Sequence, residues 1–206
     1  MEKEKKRVYI SLLNEDYVQL VEEANYLGVS KTNYIYLILY LNRNNEMLIE
    51  DLQNHRALID YNANEKQGLY LNLSAYLSSL HANKYRSIYS FNQYLSTVIH
   101  VHLKKNSLPR LDKKRPTIRT GFTVPTQIPE KFDEILSKTS IFSKTLITYT
   151  LATTEIEYHK QQRATTDMQK MYLQYPVDFD KFMPNNKYQK IELLEYILEE
   201  YSDILG

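Results

Sequence analysis

The sequence predicts a mainly α-helical fold with short β-strands, built from tandem units of one strand and two helices and followed by a C-terminal helical extension. Three observations favour this fold class. Short stretches of alternating apolar and polar residues are each followed by helical periodicity, a serine stands where each second helix would begin, and the spacing between the two features is nearly constant. It is 20 positions from Ile10 to Ser30, 19 from Leu71 to Ser90 and 21 from Phe122 to Ser143.

The first unit is the clearest of the three. Apolar residues at every second position predict a half-buried strand over residues 7–12. Asn14 is expected to cap a first helix, which ends before Gly28, because glycine readily adopts the left-handed conformation that closes a helix. Ser30 is expected to cap a second helix that runs to about Leu41.

The second unit repeats this order with a different turn. Leucines at alternate positions predict a strand over residues 69–73, and Ser74 is placed to cap the helix that follows. No glycine stands between the two helices, so Asn83 is expected to supply the left-handed residue. Ser90 is expected to cap the second helix.

The third unit begins with an alternating stretch at residues 119–124. Pro129 stands where a helix would start, and Ser143-Lys144-Thr145 repeats Ser30-Lys31-Thr32 ahead of another apolar helix. A third strand and two helices are therefore expected here.

The segments between and after these units differ in character. Residues 42–66 look helical, residues 105–117 are rich in proline, lysine and arginine and are typical of a linker, and the pattern beyond Ala152 is helical to about Leu173. Prolines then interrupt the chain before an acidic helix with an apolar stripe. The predicted division is a first module with a helical extension (1–66), a second module (67–105), a basic linker (106–116), a third module (117–155) and a helical C-terminal region with an acidic tail (156–206).

Composition excludes several classes of protein. The chain has no cysteine, which rules out disulfide-stapled folds, cysteine zinc sites and thiol nucleophiles. No apolar run approaches the roughly 20 residues of a membrane span, and the N-terminus lacks the apolar core of a signal peptide, so we expect a cytoplasmic protein without a membrane partner. The net charge of +1 is unevenly distributed, because residues 104–119 carry seven basic side chains and one acidic one.

The first unit, RVYISLLNEDYVQLVEEANYLGVSKTNYIYLILYL, resembles the ribbon-helix-helix family of Arc/MetJ/CopG-type DNA-binding proteins over its whole length. The resemblance implies that two strands pair antiparallel and enter the major groove of double-stranded DNA, where the outward side chains contact base edges. One such unit has too little core to be stable alone, so a partner copy is expected. The base-reading residues implied by the resemblance are Arg7, Tyr9, Ser11, Tyr70, Asn72, Arg119, Gly121 and Thr123.

The same resemblance implies that the N-terminus of each second helix contacts a DNA phosphate. Unpaired backbone amides and the helix dipole favour an anion there, although a plain helix cap would use the same serines. The implied residues are Ser30, Lys31, Thr32, Ser90, Asn92, Ser143, Lys144 and Thr145, with Phe91 in place of a lysine in the second copy. Basic linker residues Lys113, Lys114 and Arg115 are expected to add phosphate contacts that depend on salt.

A ribbon needs two strands, so copies one and two are expected to pair within the chain, and the third copy with its counterpart in a second chain of a homo-oligomer. The expected function is that of a sequence-specific transcriptional repressor or regulator, associated with the nucleoid or a plasmid and acting at repeated or palindromic sites. One alternative is an accessory protein of plasmid transfer, replication or partition. Another is a protein-interaction scaffold or antitoxin whose later copies have lost DNA contact.

Catalysis and cofactors are not expected. Of the five histidines, only His100 and His102 lie close in sequence, and their spacing points them apart on a helix. The chain has neither a phosphate-binding loop nor a Gly-x-Ser-x-Gly motif. We therefore expect packed or solvated histidines, no metal and no enzymatic activity.

Overall fold

The computed structural model describes residues 5–45, 49–61, 65–84, 89–159 and 167–206, and shows a mainly helical chain with two pairs of antiparallel strands. Within these ranges no helix is both long enough and apolar enough to cross a membrane. In chain order the elements are β1 (Lys5–Leu13), α1 (Asn14–Leu27), α2 (Lys31–Leu41), α3 (Ile49–Tyr61), β2 (Lys66–Ser74), α4 (Ala75–Ala82), α5 (Phe91–Lys105), β3 (Thr117–Pro125), α6 (Gln127–Thr139), α7 (Ser143–Thr153), β4 (Met168–Pro176), a 3₁₀-helix (Val177–Phe182), α8 (Lys187–Glu200) and α9 (Ser202–Leu205).

Strands β1 and β2 form the first ribbon. They pair antiparallel within the chain, as expected, with Tyr9 directly opposite Tyr70 at the centre. Leucine, isoleucine and valine side chains alternate along both strands and are buried on the inner face, including Ile10 and Leu71. The alternation seen in the sequence thus sets which side chains reach the core and which remain outside.

Strands β3 and β4 form a second ribbon, and this corrects two predictions. The third strand was expected to need a second chain, but it pairs with β4 of the same chain, with Gly121 opposite Tyr172. The predicted helix beyond Ala152 to about Leu173 is also wrong, because α7 ends at Thr153, residues 154–159 have no regular secondary structure and residues 168–176 are a strand; residues 160–166 lie outside the described part. Met171, Leu173 and Tyr175 alternate on the buried face, and this inward stripe accounts for the strand.

A fourth strand-helix-helix unit follows from this strand. β4 leads into the short 3₁₀-helix and then into α8, so the order of the earlier units recurs with the first helix reduced to six residues. Phe179 anchors this short helix in the core and its ring lies 5.4 Å from the ring of Tyr26 on α1. The acidic helix at the C-terminus is therefore the last helix of a unit, and its apolar stripe packs against α6 and α7.

Several helix ends match their predicted residues. Gly28 adopts the left-handed conformation with φ 68°, and a Cβ added there would lie 2.6 Å from the Cγ of Pro176, so close packing also requires glycine. Ser30, Ser74 and Ser90 cap α2, α4 and α5 as expected, each accepting a hydrogen bond from a backbone amide of the first turn.

Three other helix ends differ from prediction. Asn14 is the first residue of α1 rather than its cap, and Asn83 has φ −102°, which is not left-handed. Ser143 is the first residue of α7, with Phe142 at the N-cap, so the Ser-Lys-Thr motif is shifted by one position relative to α2. The left-handed residue of this turn is Ser140, with φ 65°. The repeated Ser-Lys-Thr motif therefore occupies different positions at the start of α2 and of α7.

The predicted helical segment 42–66 is a helix over Ile49–Tyr61, while residues 46–48 and 62–64 lie outside the described part. Leu52 and His55 are the buried side chains of the described part of this helix, which packs mainly against α5. The helix is thus attached to the rest of the fold through few side chains.

The basic linker is held along α1 by hydrogen bonds. The side-chain amide of Asn25 donates to the carbonyls of Leu111 and Asp112, at 3.0 and 3.2 Å, and the amide of Leu111 donates to the carbonyl of Glu22. The buried carboxylate of Glu23 accepts from the amide of Leu108 at 3.2 Å. These bonds give the linker a defined path between the two ribbons.

The two ribbons with their helices pack directly on one another. Helix α2 lies against α7, α1 contacts β4, and α6 contacts β2. Because α1 and α6 each follow the first strand of a ribbon, while β2 and β4 are the second strands, the last two contacts are equivalent. The two halves of the chain therefore contact each other partly through corresponding elements.

Asn33 lies at this contact and is buried. Its amide donates to the carbonyl of Ser140 at 2.8 Å, while its side-chain oxygen accepts from the amide of Phe142 at 3.0 Å and from the hydroxyl of Thr145. One side chain of the first half thus holds the turn before α7 in the second half.

Candidate nucleic-acid interface

The charged side chains of the strands are all basic. The four strands carry six lysines and arginines and no aspartate or glutamate, although the chain as a whole has 26 basic and 25 acidic residues. The basic residues are exposed, and they are Lys5, Lys6, Arg7, Lys66, Arg119 and Lys170. Charge of one sign on the outside of both ribbons favours a polyanionic ligand.

The register of the first ribbon brings its five predicted base-reading residues onto one outward surface. Arg7 lies opposite Asn72, and Tyr9 lies opposite Tyr70, with the two rings 5.0 Å apart between centroids. The Arg7 guanidinium stacks over the Tyr70 ring at 4.4 Å. Ser11 lies opposite Gly68 on the same face.

The second ribbon presents a similar surface. The Arg119 guanidinium stacks over the ring of Tyr172 at 4.5 Å, and Arg119 lies opposite Gln174. A Cβ added to Gly121 would lie 2.8 Å from a ring carbon of Tyr172, so this glycine makes room for the tyrosine. Arg119, Gly121 and Thr123 are thus joined by residues that the sequence analysis missed.

The missed residues of the second ribbon are Lys170, Tyr172 and Gln174. They alternate with the buried residues of β4, so the period-two pattern could have found them, but the same stretch had been assigned to a continuing helix. With them included, both ribbons share an outward pattern. An arginine on the first strand stacks on the central tyrosine of the second strand and lies opposite an amide side chain, Asn72 or Gln174.

The N-terminus of α5 lies beside the first ribbon. The ammonium of Lys6 stands 4.4 Å from the centre of the Phe91 ring, and Ser90 forms a capping box with Gln93. Asn92 and Ser11 both line a cavity of about 260 Å³ between this helix end, the ribbon and α3. The predicted phosphate-binding residues Ser90 and Asn92 therefore border the outward face of the strands.

The N-termini of α2 and α7 meet at the centre of the molecule. Lys31 and the neighbouring Thr32 are both half-buried, and the ammonium of Lys31 donates to the hydroxyl of Tyr17 at 2.8 Å. On α7, burial and the nearby charge of Lys114 lower the pKa of Lys144. The charges of Lys114 and Lys144 repel each other, and an anion bound near them would relieve this repulsion.

Not all the predicted phosphate-binding residues are free to act. Thr145 is buried and its hydroxyl donates to Asn33, so its side chain contributes to packing. Arg115 pairs with Asp178 and lies over the Tyr26 ring at 5.9 Å. Lys113 is exposed, and Ser143 is half-buried in the first turn of α7.

Three histidines are buried in the first half of the chain. Burial lowers the pKa of His81 and lowers that of His102 to about 4, while burial and the nearby His100 lower that of His55 to about 4. These side chains are neutral at physiological pH.

A compact polar cluster lies behind the first ribbon, where Asp16, His55 and His100 converge from α1, α3 and α5. One potential ligand atom from each lies within 4.8 Å of the others. The carboxylate of Asp16 contacts Nδ1 of His100 at 2.7 Å, and the rings of His55 and His100 stack with centroids 4.6 Å apart. The sequence analysis missed this cluster, because its members are separated by 39 and 45 positions.

These features consist of two basic ribbons with matching outward side chains, helix N-termini beside and between them, and a histidine-carboxylate cluster behind the first ribbon. No protein-family model matches the sequence, and neither the curated proteins nor the solved structures include a match.

Proposed function

We propose that this protein binds double-stranded DNA sequence-specifically through its two ribbons, as two ribbon-helix-helix pairs within one chain. The observation that carries the proposal is the shared outward pattern of the ribbons, in which a stacked arginine and tyrosine lie next to an asparagine or glutamine. The major groove admits a two-stranded ribbon, and these side chains are suited to its base edges.

Each outward side chain has a corresponding role. Arg7 and Arg119 can donate two hydrogen bonds to guanine, and Asn72 and Gln174 can bracket adenine. Stacking on tyrosine holds each guanidinium over the ribbon before binding, which reduces the side-chain entropy lost on contact.

The arrangement of the halves supports two ribbons acting together. The two ribbons share an outward pattern and their halves contact each other partly through corresponding elements, so we expect the preferred DNA site to contain two related half-sites. Lys31 and Lys144 lie in the first turns of α2 and α7, which contact each other, and Lys114 lies near Lys144; we expect these three lysines to contact phosphates between the half-sites. Because each ribbon is completed within the chain, one molecule can occupy both half-sites.

The test begins with selection of bound duplexes from a randomised pool, followed by fluorescence anisotropy on the selected site. Arg7→Ala and Arg119→Ala should each lower specific affinity by about 5- to 150-fold, corresponding to about 1–3 kcal/mol for a bidentate base contact. Arg7→Lys retains the charge and should keep non-specific affinity while losing discrimination at one base pair.

Lys105→Ala is the matched control for loss of one positive charge. Lys105 is exposed at the C-terminus of α5, about 21 Å along the helix from its N-terminal end beside the ribbon. It should leave specific binding unchanged. If no selected sequence emerges, or if Arg7→Ala and Arg119→Ala behave like Lys105→Ala, the ribbons do not read DNA and a protein-binding scaffold or antitoxin becomes the better proposal.

We further propose a role as a transcriptional regulator, with an accessory role in plasmid transfer, replication or partition as the alternative. Footprinting on the DNA around its own gene distinguishes them. Protection over a promoter favours regulation, whereas protection over a transfer or replication origin favours the accessory role.

A further inference from the structure

We propose that Asp16, His55 and His100 form a binding site for a divalent transition-metal ion such as Zn²⁺. Two imidazoles and one carboxylate are a common ligand set for such an ion, and a water molecule can complete a tetrahedral shell. This proposal is independent of DNA binding, since it rests on the contacts of three helices behind the first ribbon.

Two atoms of the cluster are buried without hydrogen-bond partners among the described residues. They are Oδ1 of Asp16 and Nε2 of His55, and their side chains are 0% and 2% exposed. A buried polar atom without a partner is costly, and a buried carboxylate oxygen especially so. A cation bound between these atoms would satisfy both.

The hydrogen bonds of His55 indicate which ring nitrogen is free to bind. Its Nδ1 lies 2.8 Å from the hydroxyl of Thr97, and that hydroxyl donates its proton to the carbonyl of Gln93 at 3.0 Å. Nδ1 must therefore be the donor to Thr97, which leaves a lone pair on Nε2. A ligating histidine oriented through its other nitrogen is the usual arrangement in metal sites.

The separations are compatible with a bound ion after a small movement. Tetrahedral bonds of about 2.0–2.1 Å place neighbouring ligand atoms about 3.4 Å apart. The three potential ligand atoms lie within 4.8 Å of one another, and Oδ2 of Asp16 lies 2.7 Å from Nδ1 of His100, which donates its proton to it. Binding of the ion at this nitrogen would release that proton to solvent, open the contact slightly and bring His55 closer.

The position of the site suggests what the ion would hold together. His55 is one of the two buried side chains in the described part of α3. Asp16 is the third residue of α1, the helix that follows β1. A metal ion would fasten α3 to α1 and α5. Helix α3 also lines the cavity that Tyr9 and Ser11 of the first ribbon border, so metal binding would set the position of α3 beside the outward face of that ribbon.

The test uses the full-length protein, stripped with a chelator and titrated with Co²⁺. Tetrahedral Co²⁺ coordination should appear as visible d–d absorption bands, which Zn²⁺ should displace at one equivalent, and Zn²⁺ should raise the Tm. His55→Gln and Asp16→Asn should each reduce metal affinity by at least tenfold and abolish the rise in Tm. Thr97→Val, which removes only the orienting hydroxyl, should weaken binding by about 10- to 100-fold.

His81→Gln is the matched control, because His81 is equally buried and also has one unpaired ring nitrogen but lies on α4 outside the cluster. It should leave the Co²⁺ bands and the rise in Tm intact. Absence of bands and of any Tm response in the wild-type protein would overturn the proposal, as would equal loss of binding in His81→Gln and His55→Gln. Circular dichroism confirms folding of each variant, and His55→Gln decides the matter if Asp16→Asn does not fold.

Discussion

Asn33 offers a direct measure of how tightly the two halves of the chain are joined. Replacing it with alanine removes one hydrogen bond to the carbonyl of Ser140, one from the amide of Phe142 and one from the hydroxyl of Thr145. The side chain is 4% exposed, so water does not readily replace these bonds. At about 1 kcal/mol for each bond, Asn33→Ala should lower the free energy of unfolding by about 3 kcal/mol.

Urea denaturation followed by circular dichroism measures this change. Gln93→Ala is the matched control, because Gln93 occupies the same third position of α5 but is exposed, and its side chain bonds locally to Ser90 in a capping box. It should cost about 1 kcal/mol or less. If the free energy of unfolding lost in Asn33→Ala is within about 1 kcal/mol of that lost in Gln93→Ala, the inference that Asn33 joins the halves is refuted. A second transition in the denaturation curve would indicate that the halves unfold separately.

Two further predictions concern the ribbon surface and pH. Gly121→Ala places a Cβ against the ring of Tyr172, so it should displace the tyrosine and lower DNA affinity several-fold while changing the free energy of unfolding by less than about 1 kcal/mol; a shift in stability alone would contradict this. His81 donates from Nε2 to the carbonyl of Leu39 at 2.8 Å, and burial lowers its pKa below 6.5. The unfolded chain therefore binds a proton first as pH falls below about 6.5, and stability is lost in that direction. In metal-free urea titrations, His81→Gln should reduce this loss of stability at acidic pH, and an unchanged pH profile would refute the assignment.

The strands of the first ribbon could be predicted because each has one buried face and one exposed face. A side-chain period of two then appears in the sequence, and the caps Ser30, Ser74 and Ser90 mark the helices by local hydrogen bonds. The pairing of copies one and two followed from the need of each strand for a partner. These features depend on neighbours in sequence or on one simple requirement of packing.

Strand β4 of the second ribbon was not predicted from the sequence. The stretch Met168–Pro176 contains methionine, glutamine, lysine and leucine, which are compatible with a helix as well as a strand. Its partner strand β3 lies more than 40 positions earlier, so only the assembled fold selects the extended form. The same applies to Ser143, where a repeated motif occupies a different position of the helix because Asn33 holds the preceding turn.

By itself, the sequence determined the strand-helix-helix order of the first three units, the inward and outward faces of their strands, and five of the outward residues of the first ribbon. The tertiary structure decided that β3 pairs with β4 of the same chain, brought Lys170, Tyr172 and Gln174 beside Arg119, and gathered Asp16, His55 and His100 from three helices. The physical reason is the separation along the sequence of the residues that interact. Periodicity and capping act between residues a few positions apart, whereas pairing and ligand clusters depend on residues that meet only when the chain has folded.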